Sequence, residues 1–126
     1  MPIVDMTFEN GIFFAKEVGT VNDKDARLWV DTLGGYAAAS PVPVIVLVDA
    51  MELSAITGGA RDIFVESSTI PNVAASVIAV RDLITAQVSR ALSARGRRGA
   101  THLFSNLEEA RRFAEQQAIL AAGGDV

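Results

Sequence analysis

Two apolar segments constrain the fold of this chain more than any other feature of its sequence. They are Val44–Val48, which is rich in β-branched residues, and Val73–Val80. Neither alternates regularly between apolar and polar residues, and such strands are typical of the centre of a parallel sheet, where both faces are buried. A parallel pair needs a long crossover, and the helical pattern at 58–68 supplies one. We therefore expect the two segments to lie side by side, in the same direction, beneath a layer of helices.

The first twenty residues predict a β-hairpin. Two β-prone runs, at 3–9 and 12–19, are separated by Asn10 and Gly11. Asn-Gly is the preferred pair for a two-residue type I′ turn, because both of its central positions need a positive φ. The chain is therefore expected to begin with an antiparallel pair of strands.

Helical patterns alternate with the later strands. Asn22 is a good N-cap for a first helix, whose apolar stripe consists of Ala26, Trp29, Val30, Leu33 and Ala37. Gly34–Gly35 interrupts this stripe, which indicates either close packing on a sheet or an early end. Further helices are predicted at 82–94 and after Asn106, with a short strand at 101–105 between them. The order ββαβαβαβα predicts a single α/β domain over 1–120, with a mixed sheet that has parallel core strands, and a frayed tail at 121–126.

Composition excludes several classes of protein. The 126 residues contain no cysteine, which rules out disulfide scaffolds, thiol catalysis and cysteine-ligated zinc. The single histidine, His102, lies in a predicted strand, where a structural role is favoured over catalysis, and we expect neither a metal nor a cofactor. No apolar run reaches the ~18 residues of a membrane span, and the first residues do not form a secretory leader. We therefore expect a cytoplasmic protein.

Charge is spread unevenly along the chain. The net charge of −4 argues against general binding of nucleic acids, which requires a positive field. Positive charge is nevertheless concentrated in residues 81–112. The favoured interpretation is a solvated helix end and loop, because cations stabilise helix C-termini. The alternative is a contact with one anionic group through Arg95, Arg97 and Arg98.

Polar residues follow the first apolar strand, which we expect to end at Asp49. In open α/β sheets, ligands gather beyond the carboxyl ends of the strands. Asp49, Ser54, Thr57 and the amides of Gly58 and Gly59 are therefore expected to lie together and to form a binding or interaction surface. The simpler interpretations are that Asp49 forms a turn, that Thr57 caps the second helix, and that the two glycines allow close packing.

The order of elements, together with residues 49–60, resembles the STAS or anti-sigma-factor-antagonist family, which has the SpoIIAA-like fold. Members typically read Asp-Leu-Ser-x-Val-x-x-Ile-Asp-Ser-Ser-Gly at this place, and the chain matches that motif at Asp49 and Ile56, with apolar or small residues at Leu53 and Ala60. The topology covers nearly the whole chain. The chain is most similar to uncharacterised bacterial proteins described as SpoIIAA-like or STAS/SEC14-like.

This resemblance implies a regulatory module that works through protein contacts, as a partner of another protein or as a homodimer. In the signalling members a kinase phosphorylates the first Ser of the motif, and Gly58 takes its place here, so the phosphorylation switch does not carry over. Thr57 could replace that Ser only if the register slipped by one residue. SEC14-like proteins enclose an apolar ligand, so binding of a small molecule or lipid is the alternative function. An enzyme ranks third, because the sequence shows no partner for an acid or base near Asp49.

Overall fold

The computed structural model describes residues 3–67, 70–81 and 100–123. Its elements, in chain order, are β1 (Ile3–Glu9), β2 (Ile12–Val21), α1 (Asp23–Ala39), β3 (Val44–Ile56), α2 (Gly58–Ser67), β4 (Val73–Val80), β5 (Ala100–Phe104) and α3 (Leu107–Ala121). The strands form one five-stranded sheet in the order β1-β2-β3-β4-β5.

The two apolar segments are parallel neighbours, which confirms the expectation that defined the fold. Val46 of β3 lies opposite Ser76 of β4, and Val48 lies opposite Ile78. β2 also runs parallel to β3, and β5 runs parallel to β4. β1 pairs with β2 in the antiparallel direction. The chain therefore has an α/β fold with a mixed sheet, as predicted.

The opening hairpin forms where the sequence predicts it. Asn10 has a φ of 52° and Gly11 a φ of 79°, so both central residues have the positive φ that a type I′ turn requires. β2 continues to Val21, two residues beyond its predicted end. Its extra length gives the second half of β3 a partner.

Helix α1 begins at its predicted cap and does not end at the glycine pair. The Asn22 side chain accepts a hydrogen bond from the backbone N–H of Asp25 (3.0 Å), and the Asp25 carboxylate accepts one from the N–H of Asn22 (3.0 Å). The helix continues through Gly34–Gly35 to Ala39, and a Cβ at either glycine would meet no atom within 4 Å. Both interpretations of the glycine pair are therefore wrong. The helix persists because Ala37 beyond the pair is still buried against the sheet.

The sheet separates two apolar layers. The layer between the sheet and helices α1 and α2, which we call the α1–α2 face, includes Phe13, Ala15, Trp29, Leu33, Val46, Val48, Ala50 and Phe64. The layer beneath α3, which we call the α3 face, includes Ile45, Leu47, Ala75, Val77, Ala79, Ala110 and Ala114. Alternate residues of β3 thus face opposite layers, and both are buried, as the unbroken apolar run predicted.

Strand β3 is much longer than expected, and the prediction that it ends at Asp49 is wrong. The strand continues to Ile56. Its second half pairs with the second half of β2: Val18 lies opposite Glu52 after a first register shift, and Val21 lies opposite Ile56 after a second. The polar residues of this half suggested the end of the strand, but pairing with a neighbouring strand satisfies its backbone regardless of side-chain polarity.

The end of the chain agrees with the sequence where it is described. The Asn106 side chain accepts a hydrogen bond from the backbone N–H of Glu109 (2.8 Å), which caps α3 as predicted. The helix predicted at 82–94 and the candidate anion contacts Arg95, Arg97 and Arg98 lie outside the described residues, as does the end of the predicted tail. Among the described helices, none is long and apolar enough to cross a membrane.

Candidate functional site

Thr57 links three elements at the start of α2. Its backbone N–H donates to the carbonyl of Val21 at the end of β2 (3.0 Å). Its hydroxyl accepts a hydrogen bond from the N–H of Ala60 (3.1 Å) and donates one to the carboxylate of Asp23 (2.9 Å). The hydroxyl therefore caps α2 and at the same time ties it to the first residue of α1. The capping role predicted for Thr57 is present, with a second bond that the sequence did not indicate.

Gly59 is required by the approach of Asp23. A Cβ added to Gly59 would overlap the Asp23 carboxylate, whereas one added to Gly58 would make an ordinary contact of 3.7 Å with the Arg61 guanidinium. The two adjacent glycines thus differ. Gly59 allows close packing, as one interpretation held, although the packed group is a side chain of α1 and not the sheet.

This arrangement places a carboxylate of the protein itself at the N-terminus of α2. Asp23 is the first residue of α1 and contacts the first turn of α2, and the positive end of a helix dipole attracts negative charge. A second anion bound at the same helix end would meet the charge of Asp23. The geometry therefore disfavours the idea that the amides of Gly58 and Gly59 form an open anion site.

Asp49 lies away from this group, contrary to expectation. It sits in the middle of β3, between Leu47 and Met51, which both belong to the α3 face. Asp49 is 7% exposed, and its carboxylate accepts a hydrogen bond from the backbone N–H of Met51 (3.1 Å). Thr57 and Gly59 belong to the start of α2, on the other side of the sheet. Alternation along β3 places Asp49 on the α3 face, away from the start of α2.

Asp49 instead has charged neighbours that the sequence did not single out. Lys16 is its register partner on β2, and the Lys16 ammonium forms an ion pair with Glu52 (3.0 Å). The hydrogen bond and the charge of Glu52 raise the pKa of Lys16, with smaller contributions from Asp49 and Asp5. No group of three or more His, Asp or Glu side chains suited to a metal ion occurs among residues 3–67, 70–81 and 100–123.

Glu17 is the second buried acidic residue, and sequence analysis missed it. It is 5% exposed. Its register partner is Ile3, which belongs to the α1–α2 face, and opposed residues of antiparallel strands share a face. Burial in this apolar layer raises the pKa of Glu17 from 4.5 to about 7. The sequence held one incomplete signal, the adjacent charged pair Lys16-Glu17: consecutive strand residues face opposite sides of the sheet, but the pair does not show which of the two is buried.

The same layer contains a second polar group without a partner. Trp29 is 6% exposed, and its indole Nε1–H has no hydrogen-bond partner among the described residues. Its ring packs edge-on against Phe13 and Phe64, with centroid distances of 5.6 and 5.2 Å. The core role predicted for Trp29 is confirmed, but its N–H carries the cost of an unmade hydrogen bond.

The remaining candidates do not join a common centre. Ser54 is an exposed residue near the end of β3. The His102 ring packs on Phe113 of α3 with a centroid distance of 4.6 Å, in keeping with the structural role expected of it. Asp49, Thr57 and His102 thus occupy three separate places.

Known structures identify the architecture. The fold is similar to the crystal structure of an uncharacterised DUF3478-family protein with a SpoIIAA-like fold from Shewanella loihica PV-4. The TM-score is 0.68 at 15% identity, and the match covers 89% of this chain and 93% of that one. A structure described as Mglu matches at a TM-score of 0.40 and 14% identity, over 83% of this chain and 20% of that chain, which is too slight to interpret. No protein-family model matches the sequence, and no curated protein is significantly similar to it. At this level of identity the comparison establishes the architecture: the chain has the SpoIIAA-like fold.

Proposed function

We propose that this protein is a non-enzymatic module, located in the cytoplasm, that binds another protein through the surface around the start of α2 without a phosphorylation switch. The fold supports the protein-binding module, since it is the one expected of an anti-sigma-factor-antagonist-like module. The observation that supports the lack of a phosphorylation switch is that the Thr57 hydroxyl is already hydrogen-bonded to both Ala60 and Asp23.

Modification of Thr57 would work against the structure around it. A phosphoryl group on this oxygen removes the hydrogen bond to Asp23 and places about two negative charges beside a carboxylate. Gly58, which stands where regulated relatives of this fold have a Ser, has no hydroxyl. The relative position of α1 and α2 is therefore set by the unmodified side chains of Asp23 and Thr57. We expect partner binding to be independent of a kinase.

The surface next to this junction has mixed charge. Arg61 and Asp62 are exposed on α2, and Lys24 and Arg27 are exposed on α1. Gly58, the first residue of α2, is exposed as well. Interspersed positive and negative side chains suit a polar protein surface better than the uniform negative charge of a nucleic acid.

The experiment is an affinity capture with matched variants. Wild-type protein is immobilised beside Asp62→Arg on α2 and Glu115→Arg on α3, two exposed acids on opposite sides of the sheet. The proposal expects a protein that is retained by wild type and by Glu115→Arg, is lost with Asp62→Arg, and forms the same complex from purified components. Sedimentation of the isolated protein tests the homodimer. A monomer that retains nothing, or a partner lost only with Glu115→Arg, would contradict the proposed surface.

Ligand binding is a second candidate, supported by the unpartnered Trp29 N–H and the Glu17 carboxyl in the same apolar layer. Two such groups suit a small neutral molecule that carries hydrogen-bond acceptors and donors. Native mass spectrometry of gently purified protein would show a retained mass that is absent from Trp29→Phe, which keeps the aromatic ring but not the N–H. A bare protein mass in both cases counts against this candidate.

A further inference from the structure

The start of β1 is held to the sheet by a short and interrupted ladder. β1 is an edge strand, with β2 on one side. Ile3 and Val4 pair with Glu17 and Lys16, and the register then shifts before the next pair at Thr7. Asp5, within that shift, has a φ of 53°, which is an uncommon conformation for a residue with a side chain. The segment Ile3–Asp5 can therefore leave β2 without disturbing the pairs β2–β3 and β3–β4.

Glu17 lies beside this segment, on the same face of the sheet as its cross-strand partner Ile3. Its partner Ile3 is 3% exposed, and Glu17 itself is 5% exposed. Burial is the only cause of the raised pKa of Glu17, so no donor or cation among the described residues stabilises its charged form. The buried side chains that β1, β3, α1 and α2 contribute to this layer are apolar, apart from the N–H of Trp29.

The charged groups of the surrounding elements do not compensate Glu17. Lys16, on the other face of β2, is paired with Glu52, and Asp49 also belongs to the α3 face. Asp25 completes the capping box of α1, and Asp23 accepts a hydrogen bond from the Thr57 hydroxyl. The other charged residues of these elements are exposed: Asp5 and Glu9 on β1, Lys24, Arg27 and Asp31 on α1, and Arg61, Asp62 and Glu66 on α2.

A carboxyl in such a place stays protonated while it is covered and needs water once it ionises. We infer that Glu17 makes the attachment of Ile3–Asp5 to β2 dependent on pH: when the carboxyl gives its proton to solvent, the segment detaches and water reaches the carboxylate. The edge position of β1 and the break at Asp5 make this local opening less costly than opening the sheet between β2 and β3. This pH-dependent detachment of Ile3–Asp5 does not depend on the proposed binding surface around α2.

The coupling between proton binding by Glu17 and the opening of Ile3–Asp5 sets the direction and size of the pH dependence. Burial sets the pKa of Glu17 at about 7 in the closed state, against 4.5 in contact with water. The open fraction therefore rises between those two values, by roughly tenfold per pH unit at most, and levels off above about pH 7. From pH 5 to pH 8 the opening equilibrium should increase roughly 50- to 100-fold.

Hydrogen–deuterium exchange on the full chain tests this inference. Protection of residues 3–5 is compared with that of Val77 in β4 at pH 5 and pH 8, after correction for the intrinsic exchange rate at each pH. Glu17→Gln is the matched variant, and Glu52→Gln removes an exposed carboxylate from the next strand as a control. The ¹³C shift of the Glu17 carboxyl, followed through the same range, reports its protonation in the wild type without any substitution.

The expected result is a loss of protection at residues 3–5 with rising pH in wild type and Glu52→Gln, with no change at Val77 and a constant signal in Glu17→Gln. Equal loss of protection at Val77 would overturn the inference, because it would indicate opening of the whole sheet. Protection at residues 3–5 that does not change with pH, or a Glu17 carboxyl that titrates near 4.5, would overturn it as well, even if Glu17→Gln failed to fold.

Discussion

Two acidic side chains are buried in the described part of the sheet, and their surroundings differ completely. Asp49, on the α3 face, accepts a hydrogen bond from the N–H of Met51 and lies beside Lys16. Glu17, one residue further along β2 than Lys16, lies on the α1–α2 face among apolar side chains, and its pKa is raised to about 7. Burial alone therefore does not define the chemistry of a carboxyl group. The donors that its own face of the sheet supplies are decisive.

The largest expected effect comes from Glu17→Gln, which removes the charge that the α1–α2 face does not compensate. Because the folded pKa of Glu17 is about 7 and the unfolded value is near 4.5, the wild type loses stability as the pH rises between those values, and the loss persists above pH 7. Between pH 5 and pH 8 the free energy of unfolding of the wild type should fall by about 2–3 kcal/mol relative to the variant. Urea denaturation of both proteins at the two pH values measures this difference. Parallel pH dependence in both proteins would show that Glu17 has a partner after all.

Gly59→Ala tests Asp23, an acidic residue on the α1–α2 side that does have a hydrogen-bond donor, the Thr57 hydroxyl. The new methyl group overlaps the Asp23 carboxylate, so the start of α2 must shift, and we expect a loss of about 1–3 kcal/mol in the free energy of unfolding. Gly58→Ala is the matched control and should be close to neutral, since its methyl group meets Arg61 at an ordinary distance. Adding Asp23→Ala to Gly59→Ala should restore part of the loss in a double-mutant cycle. Equal effects at both glycines would refute the close contact.

Thr57→Val removes the donor to Asp23 and the cap of α2 in one step. The expected loss is about 1–2 kcal/mol, typical of a missing N-cap, and thermal unfolding measures it. Thr57→Ser keeps the hydroxyl and should retain most of the stability. If valine and serine behave alike, the hydroxyl does not hold the two helices together.

Asp49→Asn should have the smallest effect of the series. The amide oxygen still accepts the hydrogen bond from Met51, so the change in the free energy of unfolding should stay below about 1 kcal/mol. Asp49→Leu leaves that N–H without an acceptor and should cost more. Denaturation of both variants at pH 7 separates the role of the charge from that of the acceptor, and a large loss with asparagine would show that the charge matters.

The fold was predictable because its signals are local or periodic. Asn10–Gly11 specifies a turn through the φ that each residue tolerates, Asn22 caps a helix through its own side chain, and the apolar run at 44–48 requires burial on both faces. None of these inferences needs knowledge of a distant residue. The same holds for Asn106 at the start of α3.

The candidate site was predicted less well, because its geometry depends on contacts distant in sequence. Asp23 and Thr57 are 34 residues apart and meet only when α1 and α2 pack side by side. The end of β3 depends on where β2 ends. Asp49 was predicted at the end of the strand, but β3 continues beyond it because residues such as Glu52 pair with β2, here with Val18. The inward orientation of Glu17 follows from the phase of β2, which a pair of adjacent charged residues does not reveal.

The sequence by itself determined which elements form, in what order, and that the central strands are parallel and buried, because local backbone preference and apolar periodicity are properties of single segments. The tertiary structure decided which side of the sheet each polar residue occupies. A shift of one residue in strand pairing moves every side chain to the other face, and that register is fixed only when strands and helices pack together.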